Sequence, residues 1–329
     1  MKDFKAYRIY EEGGRVVPRF AQMNVGDLTA GDVVIRVRYS GINYKDALAA
    51  TGTARILRRY PLNGGIDLSG EVEESTDPRY VPGQPVLVTG CDLSEGVDGG
   101  YAEYARVSGD SVIAMPDGLD LFGAMVLGTA GFTAALAIQR MEHNGLQPGG
   151  GPVVVTGASG GVGSIAVDML AGRGYEVVAV TGKPHSGEFL AALGAGRILH
   201  RQDLDFGKRP LEAARWAGAI DNVGGEMLTW LTRTTDSWGS IASIGLAGGP
   251  QLQTTVLPFI LRGINLLGIN SSATPRATRL AVWKRISGDL RPRHLDRLAT
   301  RTIAFEDLPA ALAAFLKGGV TGRTVVKVG

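Results

Sequence analysis

The chain has 329 residues, 44% of them hydrophobic, with 34 basic and 32 acidic side chains and one cysteine. That length allows two domains with sizeable cores. A formal charge of +2 spread over both signs lacks the basic footprint of a nucleic-acid binder, and a lone cysteine excludes an internal disulfide and fits a reducing compartment.

The opening Met-Lys-Asp-Phe-Lys lacks the apolar core of a signal peptide. No uninterrupted apolar run reads as long enough to span a membrane. The expectation is a soluble cytoplasmic protein with neither membrane nor nucleic-acid partners. Up to residue 115 the pattern is β-rich. Lys5–Tyr10, Val16–Phe20 and Val33–Tyr39 are strand-like, the last with the clearest alternation. Asp67–Glu73, Val86–Thr89 and Tyr101–Val107 continue the style, with Pro82-Gly83 marking a turn. Short strands with such punctuation predict a closed or partly closed barrel.

From about residue 120 the style changes. Ala124–Met141 is apolar with helical spacing and stops at Gly145 and Pro148-Gly149-Gly150-Gly151. The buried strand Val153–Thr156 then runs into Gly157-Ala158-Ser159-Gly160-Gly161-Val162-Gly163, a helical stretch and a second buried strand, Val177–Thr181. This is the start of a dinucleotide-binding βαβ unit, with Ala158-x-Gly160-x-x-Gly163 as its fingerprint. Gly160 lets backbone approach a pyrophosphate, Gly163 lets the helix sit close to the strand, and the helix N-terminus offers N–H groups to the anion. The plainer reading is a glycine turn that only packs a helix on a sheet.

The end of the second strand selects the cofactor. An NAD site usually places an acidic residue there for the ribose hydroxyl. Here the chain reads Thr181-Gly182-Lys183, with no acidic residue until Glu188. A lysine and a hydroxyl attract a 2′-phosphate that a carboxylate would repel, so NADPH is predicted over NADH. Lys183 as an ordinary solvated loop lysine is the alternative.

Arg197–His200, Ala219–Asn222, Gly239–Gly245 and Asn265–Asn270 continue as strands three to six of a doubly wound parallel sheet. The last is an edge strand whose Leu266-Leu267 invites pairing between copies, so a homodimer is expected, although the same leucines could face their own core. A Trp283-containing helix, a Leu308–Lys317 helix and a strand Thr324–Val328 complete the chain, the last returning to the first domain. His143, His185, His200 and His294 form no close pair and Cys91 has no cysteine partner. No metal site is expected, and Cys91 reads as a packing residue.

Seven segments carry a family resemblance. They are Gly41-Ile42-Asn43-Tyr44-Lys45-Asp46, Gly65-Ile66-Asp67-Leu68-Ser69-Gly70, Gly99-Gly100-Tyr101-Ala102-Glu103-Tyr104, Gly128-Thr129-Ala130-Gly131-Phe132-Thr133-Ala134, Gly245-Leu246-Ala247-Gly248-Gly249, Pro258-Phe259-Ile260-Leu261-Arg262-Gly263 and Gly322-Arg323-Thr324-Val325-Val326. Nearly end to end, the chain resembles the medium-chain dehydrogenase/reductase superfamily. Within it, the resemblance is to the zinc-independent quinone-oxidoreductase-like branch and its acryloyl-CoA reductase subgroup. Two departures fall near the substrate cleft. Asn63-Gly64 precedes Gly65 where the family tends to have proline, and Cys91 stands where an aromatic is usual.

The resemblance implies an α/β protein. A GroES-like β-barrel catalytic domain over 1–120, completed by 272–329, is joined to a doubly wound Rossmann NADPH-binding domain over 121–271. It further implies that Ser159, Gly160, Gly161 and Val162 hold the pyrophosphate, and that Thr181, Gly182 and Lys183 hold the 2′-phosphate with Arg201 beside the adenosine end. Gly245 and Leu246 fall near the nicotinamide ribose, Asn270 near the carboxamide and Tyr44 beside the nicotinamide. Arg201 also reads as a surface arginine and Asn270 as a strand-end cap; Asn222 is a weaker cofactor candidate.

Enoyl reduction delivers hydride to the β-carbon and a proton to the α-carbon, with charge developing on the carbonyl oxygen. Asn43, Tyr44 and Asp46 supply an amide, a phenol and a carboxyl within four residues. Tyr44 is the candidate hydrogen-bond or proton donor, with water as the other proton source. Asp46 has the competing reading of a helix N-terminal charge, and Asn43 that of a turn former. Arg55, Arg58 and Arg59, with Arg323, are candidate contacts for the phosphates of a CoA thioester, against the reading of a solvated face. Quinones or α,β-unsaturated ketones are the alternative substrates, and a non-catalytic NADPH-binding sensor is the alternative class.

Overall fold

The computed structural model describes residues 3–329. The chain divides into two compact units. The first runs to Thr129 and also takes Ser272–Ser287 and Ala299–Gly329, whereas the second is Ala130–Ser271 with Gly288–Leu298.

The first unit is built from short antiparallel strands. Phe4–Glu12 lies between Arg15–Met23 and Leu62–Asn63 in a three-stranded sheet. Val33–Gly41 is the organising strand of the larger sheet, pairing with Asp67–Ser75, Tyr104–Val107 and the returning Thr324–Lys327. Tyr7 N donates to Tyr101 O at 2.8 Å and Ala6 bridges Ala102, so the two sheets join into a partly closed barrel. Ile35, Val37, Leu68, Val86 and Val88 fill its interior, as their alternation requires. Gly70 sits at a register shift where a Cβ would lie 2.0 Å from Arg36 O, so only glycine allows the strands to approach there. Helix α1 (Tyr44–Thr51) ends on Gly52 in the left-handed conformation. A strand not expected from the sequence, Arg301–Ala304, pairs in parallel with Thr324–Lys327.

Helix α2 spans Leu121–His143, and Gly128 interrupts it with φ 51° and ψ −152°. By length and composition this stretch could cross a membrane, contrary to the expectation of no such run, its best window having a hydropathy of 1.9. In the fold 78% of that window is buried, and the break at Gly128 ends one helix and starts another, which makes this a core segment.

The second unit is the doubly wound sheet. Its six strands are parallel, in the order Arg197–His200, Val177–Thr181, Val153–Thr156, Trp216–Asp221, Thr235–Ser243, Asn265–Gly268. Val153, Val154 and Val155 are fully buried, as expected for a strand covered on both faces. Order reverses between Val153–Thr156 and Trp216–Asp221, which makes their C-terminal ends the topological switch point. Gly288–Leu298 belongs to this unit because His294 N and Nδ1 each lie 3.0 Å from the Asp168 carboxylate on helix α3 (Gly161–Gly172), and Arg293 donates to Gly172 O at 2.6 Å.

Candidate active site

In the second unit the residues expected at the cofactor follow the C-terminal ends of parallel strands. Ser159–Val162 follow the first, Gly182 and Lys183 the second, Arg201 the third, Gly245 and Leu246 the fifth and Asn270 the sixth, while Thr181 closes the second. Parallel strands end at one edge, so topology gathers these positions there.

The glycine turn fits an anion. Helix α3 has Gly160 at its N-cap with no side-chain cap. The first intrahelical bond runs from Ser164 N to Gly160 O at 2.9 Å, leaving the N–H groups of Gly161, Val162 and Gly163 without acceptors in the helix. A Cβ on Gly163 would meet Gly157 O at 2.4 Å, so the helix packs onto the turn only with glycine there. Gly182 faces open space, which leaves room beside it for a bulky group.

Two expected contacts take other roles. Thr181 is buried, and its hydroxyl contacts Ser159 Oγ at 3.1 Å and Ser186 Oγ at 3.0 Å while accepting from Lys183 N at 3.1 Å. Ser159 is likewise buried. These hydroxyls tie the turn together, so Ser159 can offer its backbone and Thr181 shapes the loop that presents Lys183. Burial lowers the Lys183 ammonium pKa, the direction expected of a half-buried cation without full solvation. Arg201, Leu246 and Asn270 are exposed.

Sequence reasoning missed Asp221 at the switch point. It is buried and accepts from Thr156 Oγ1 at 2.6 Å, Gly224 N at 2.8 Å and Val223 N at 3.2 Å, and burial raises its pKa. It fixes the turn after its strand, where Asn222 O lies 2.2 Å from where a Gly245 Cβ would stand. Gly245→Ala is therefore expected to lower the stability of the second unit by about 1–3 kcal/mol and to weaken NADPH binding. Urea unfolding and a fluorescence titration check this, and an alanine variant matching the parent in both would contradict the close approach.

In the first unit Tyr44 is 46% exposed at the first position of α1, so its ring is accessible to a bound molecule. Its two neighbours are not. Asp46 is 1% exposed and accepts from Asn43 N at 2.8 Å, Ile66 N at 2.9 Å and Asn43 Nδ2 at 3.2 Å. Burial, followed by the nearby Asp67 charge, pushes its pKa up to about 7, against the donors from Asn43 and Ile66. Asn43 donates the same Nδ2 to Asp67 Oδ2 at 2.7 Å and accepts from Arg323 Nη1 at 3.1 Å. Its amide is committed at both ends. Asn43 and Asp46 therefore cap and orient the start of α1, and neither presents a group to a substrate.

Arg323 requires the same correction. It is 2% exposed, donating Nε to Val126 O at 2.9 Å and Nη1 to Ile42 O at 3.0 Å, and it cannot reach a CoA phosphate. Its Nη2 lies 3.8 Å from Asp67 Oδ2. Asp67, fully buried, also accepts from Thr129 N at 2.9 Å and Thr129 Oγ1 at 2.6 Å. A Cβ on Gly128 would stand 2.5 Å from Asp67 Oδ2, which explains both that glycine and the helix break beside it. Arg55, Arg58 and Arg59 are exposed, and Arg58 pairs with Asp92.

The alcohol dehydrogenase GroES-like domain model matches residues 29–117, and the zinc-binding dehydrogenase model matches 161–287. Acrylyl-CoA reductase AcuI of Ruegeria pomeroyi is 47% identical over 97% of this chain and 96% of its own. The chain belongs to the medium-chain dehydrogenase/reductase superfamily, in its acryloyl-CoA reductase subgroup. Another relative, named "Putative quinone oxidoreductase YhfP" of Bacillus subtilis, is 45% identical over 99% of both chains. Its structure with NAD bound superposes with a TM-score of 0.96, covering 99% of this chain and 100% of that one. The yhdH oxidoreductase of Salmonella enterica in complex with NADP gives 0.95 at 45% identity, covering 99% of this chain and 100% of its own.

Among the described residues, the zinc in the second model's description finds no donor set. Among the described residues no three His, Cys, Asp or Glu side chains group to hold a metal. Asp46 and Asp67 are engaged by Asn43, Thr129 and backbone N–H groups, with Arg323 alongside.

Proposed function

We propose that the chain is an NADPH-dependent reductase of an activated C=C bond, converting acryloyl-CoA to propionyl-CoA. The observation that carries the cofactor is the uncapped glycine turn of α3 with Lys183, and no carboxylate, after the next strand. The substrate rests on the near full-length likeness to AcuI. Bound NADPH supplies hydride for the β-carbon. The chain's part is to hold the pyrophosphate on the N–H groups of Gly161 and Val162 and the 2′-phosphate with Lys183 and Arg201. Leu246 and Asn270 serve the nicotinamide end. Tyr44, the exposed member of its trio, contacts the nicotinamide and donates a hydrogen bond or the α-proton, with water as the other source.

NADPH oxidation by purified protein with acryloyl-CoA tests this, with NADH and a simple quinone run alongside. Turnover of acryloyl-CoA with NADPH supports it. Turnover of the quinone alone moves the chain to the reading suggested by the YhfP name, reduction of quinones or α,β-unsaturated ketones.

Arg55 and Arg59 are the basic side chains left to meet CoA phosphates, since Arg58 pairs with Asp92 and Arg323 is buried. Replacing both by alanine is expected to raise the KM for acryloyl-CoA about threefold to tenfold, each exposed pair being worth up to about 1 kcal/mol, and to leave quinone turnover unchanged. Equal loss for both substrates would count against a CoA site here.

A homodimer and a cytoplasmic setting complete the reading. The dimer would pair the edge strand Asn265–Gly268 with its copy. Trp238, 78% exposed, has its ring 2.9 Å from where a Cβ on Gly263 would stand, and Ile260 and Leu261 are also exposed, an apolar cluster next to that edge. Sedimentation of the protein and of Ile260→Lys would reveal whether this face is covered.

A further inference from the structure

Among the described residues of the second unit, three buried side-chain polar atoms have no hydrogen-bond partner: Arg173 Nε, Ser240 Oγ and Asn222 Oδ1. Arg173 follows the C-terminal end of α3, the end opposite the glycine turn, and Ser240 lies inside the strand Thr235–Ser243. Asn222 follows the C-terminal end of Trp216–Asp221, at the switch point. One residue of the neighbouring strand fixes it there twice. Asn222 N donates to Thr156 Oγ1 at 3.0 Å, and Asn222 Nδ2 donates to Thr156 O at 2.8 Å. A carbonyl only accepts, so the amino end of the amide must face Thr156 and the remaining end is an acceptor. A buried acceptor without a donor is uncommon in a native fold and calls for a reason.

The surroundings of Asn222 point to the donor it lacks. A Cβ on Gly157, the first residue of the glycine turn, would meet Asn222 Cβ at 3.3 Å. The segment Gly245–Gly249 lies across the turn after Asp221: Gly248 N donates to Val223 O at 2.7 Å, and Gly249 O is 2.6 Å from where a Gly224 Cβ would stand. Asn222 therefore adjoins both the turn assigned to the pyrophosphate and the segment assigned to the nicotinamide end. Strand order lays out the cofactor in the same sense. Lys183 and Arg201 follow strands on one side of Val153–Thr156, and Asn222 follows the strand on the other. A single step of about 4.8 Å past the pyrophosphate strand reaches the adjoining sugar, not the nicotinamide ring beyond it. The pyrophosphate carries no proton at neutral pH, so the first donors met on that path are the hydroxyls of the nicotinamide ribose.

We propose that Asn222 Oδ1 accepts a hydrogen bond from a hydroxyl of the nicotinamide ribose and so fixes the sugar that carries the hydride-donating ring. The inference rests on the NADPH reading and adds a sugar contact to it. Asn222 is half-buried, with Oδ1 on its covered side. Leu246, Ala247 and Gly248 are exposed, so the segment beside it has room to shift outward by the width of an oxygen when the sugar arrives. The amide itself stays where Thr156 holds it, and an acceptor set in advance loses no side-chain freedom on binding. A carbonyl oxygen at this point also repels phosphate oxygens, which keeps the pyrophosphate on the N-terminus of α3.

Ligand binding, measured by calorimetry without substrate, tests this. The ligands are NADPH, 2′-phospho-ADP-ribose, which keeps the second sugar but has no nicotinamide, and 2′,5′-ADP, which ends before that sugar. Asn222→Ala is expected to weaken the first two alike by about threefold to tenfold, the worth of one neutral hydrogen bond, and to leave 2′,5′-ADP unchanged. Equal loss for 2′,5′-ADP would make Asn222 a support for the turn alone and overturn the proposal. Loss for NADPH alone would give the contact to the carboxamide and overturn the ribose assignment. No loss for NADPH overturns it outright. Asn222→Ser, which keeps a small polar side chain without Oδ1, takes the same part if alanine does not fold. The wild-type protein supplies a second arm through NADPH analogues lacking either hydroxyl of the nicotinamide ribose. One of the two should bind about threefold to tenfold more weakly than NADPH to the wild type, and no more weakly than NADPH to the variant. Analogues that both bind the wild type as NADPH does overturn the contact and leave the cofactor reading standing. A wild type that binds none of the three ligands overturns both.

Discussion

Replacing Arg323 by leucine is expected to lower the stability of the first unit by about 3–5 kcal/mol, the usual cost of removing one partner from a buried ionic network. The side chain donates to Val126 O, Ile42 O and Asn43 Oδ1 and lies beside Asp67, so its loss leaves two carbonyls and a buried carboxyl without these partners. Lysine cannot replace it, because a single ammonium cannot reproduce the guanidinium's fork of donors to three acceptors on two segments. Urea unfolding measures the effect, and the double variant Arg323→Leu with Asp67→Asn should recover part of it. A single-variant loss below about 1 kcal/mol would mean that the guanidinium behaves like a surface charge.

Lys183→Ala is expected to raise the KM for NADPH by about 10- to 100-fold, corresponding to one charge-assisted contact of roughly 1.5–3 kcal/mol, with the KM for NADH unchanged. The ammonium is half-buried on a loop tied by Thr181 and Ser186, and burial already depresses its pKa, so an adjacent phosphate dianion would offset the cost of that burial. Initial rates with both cofactors decide the matter. Equal loss for both would assign Lys183 to the loop rather than to the 2′-phosphate, and would make the NAD-bound YhfP structure the better guide.

The two halves of the chain were not equally legible. Val153–Thr156 and Val177–Thr181 form with the boundaries read from sequence, because strands buried on both faces are apolar runs between turn residues; Arg197–His200, an edge strand with no fully buried residue, also keeps its bounds. The strand Arg301–Ala304 escaped notice because Ile303 alone among its residues is buried, which leaves no alternation to detect. At the site, charged residues misled. Arg323 reads as a surface arginine near a CoA phosphate because composition cannot reveal that Asp67, more than two hundred residues earlier, faces it. Asp46 reads from sequence more as a helix cap than as an acid, and the donors it accepts from bear out the cap. The signal for Asp67 and Gly128 lay in quoted motifs, but their joint meaning, a carboxylate so close to a backbone that only hydrogen fits, is three-dimensional.

The union of Ile42 with Arg323 across 281 positions of sequence also bears on how the chain is made. At ribosomal speeds of roughly 5–20 residues per second, the guanidinium emerges about 15 to 55 s after the strand it secures. Until then Asp67 and the start of α1 have no cation to close on, while Ala130–Ser271 has already been synthesised. The nucleotide-binding unit can therefore mature while the barrel waits for its last strand. A nascent chain arrested before Thr324–Lys327 would expose an unpaired face of Val33–Gly41, a natural target for a chaperone.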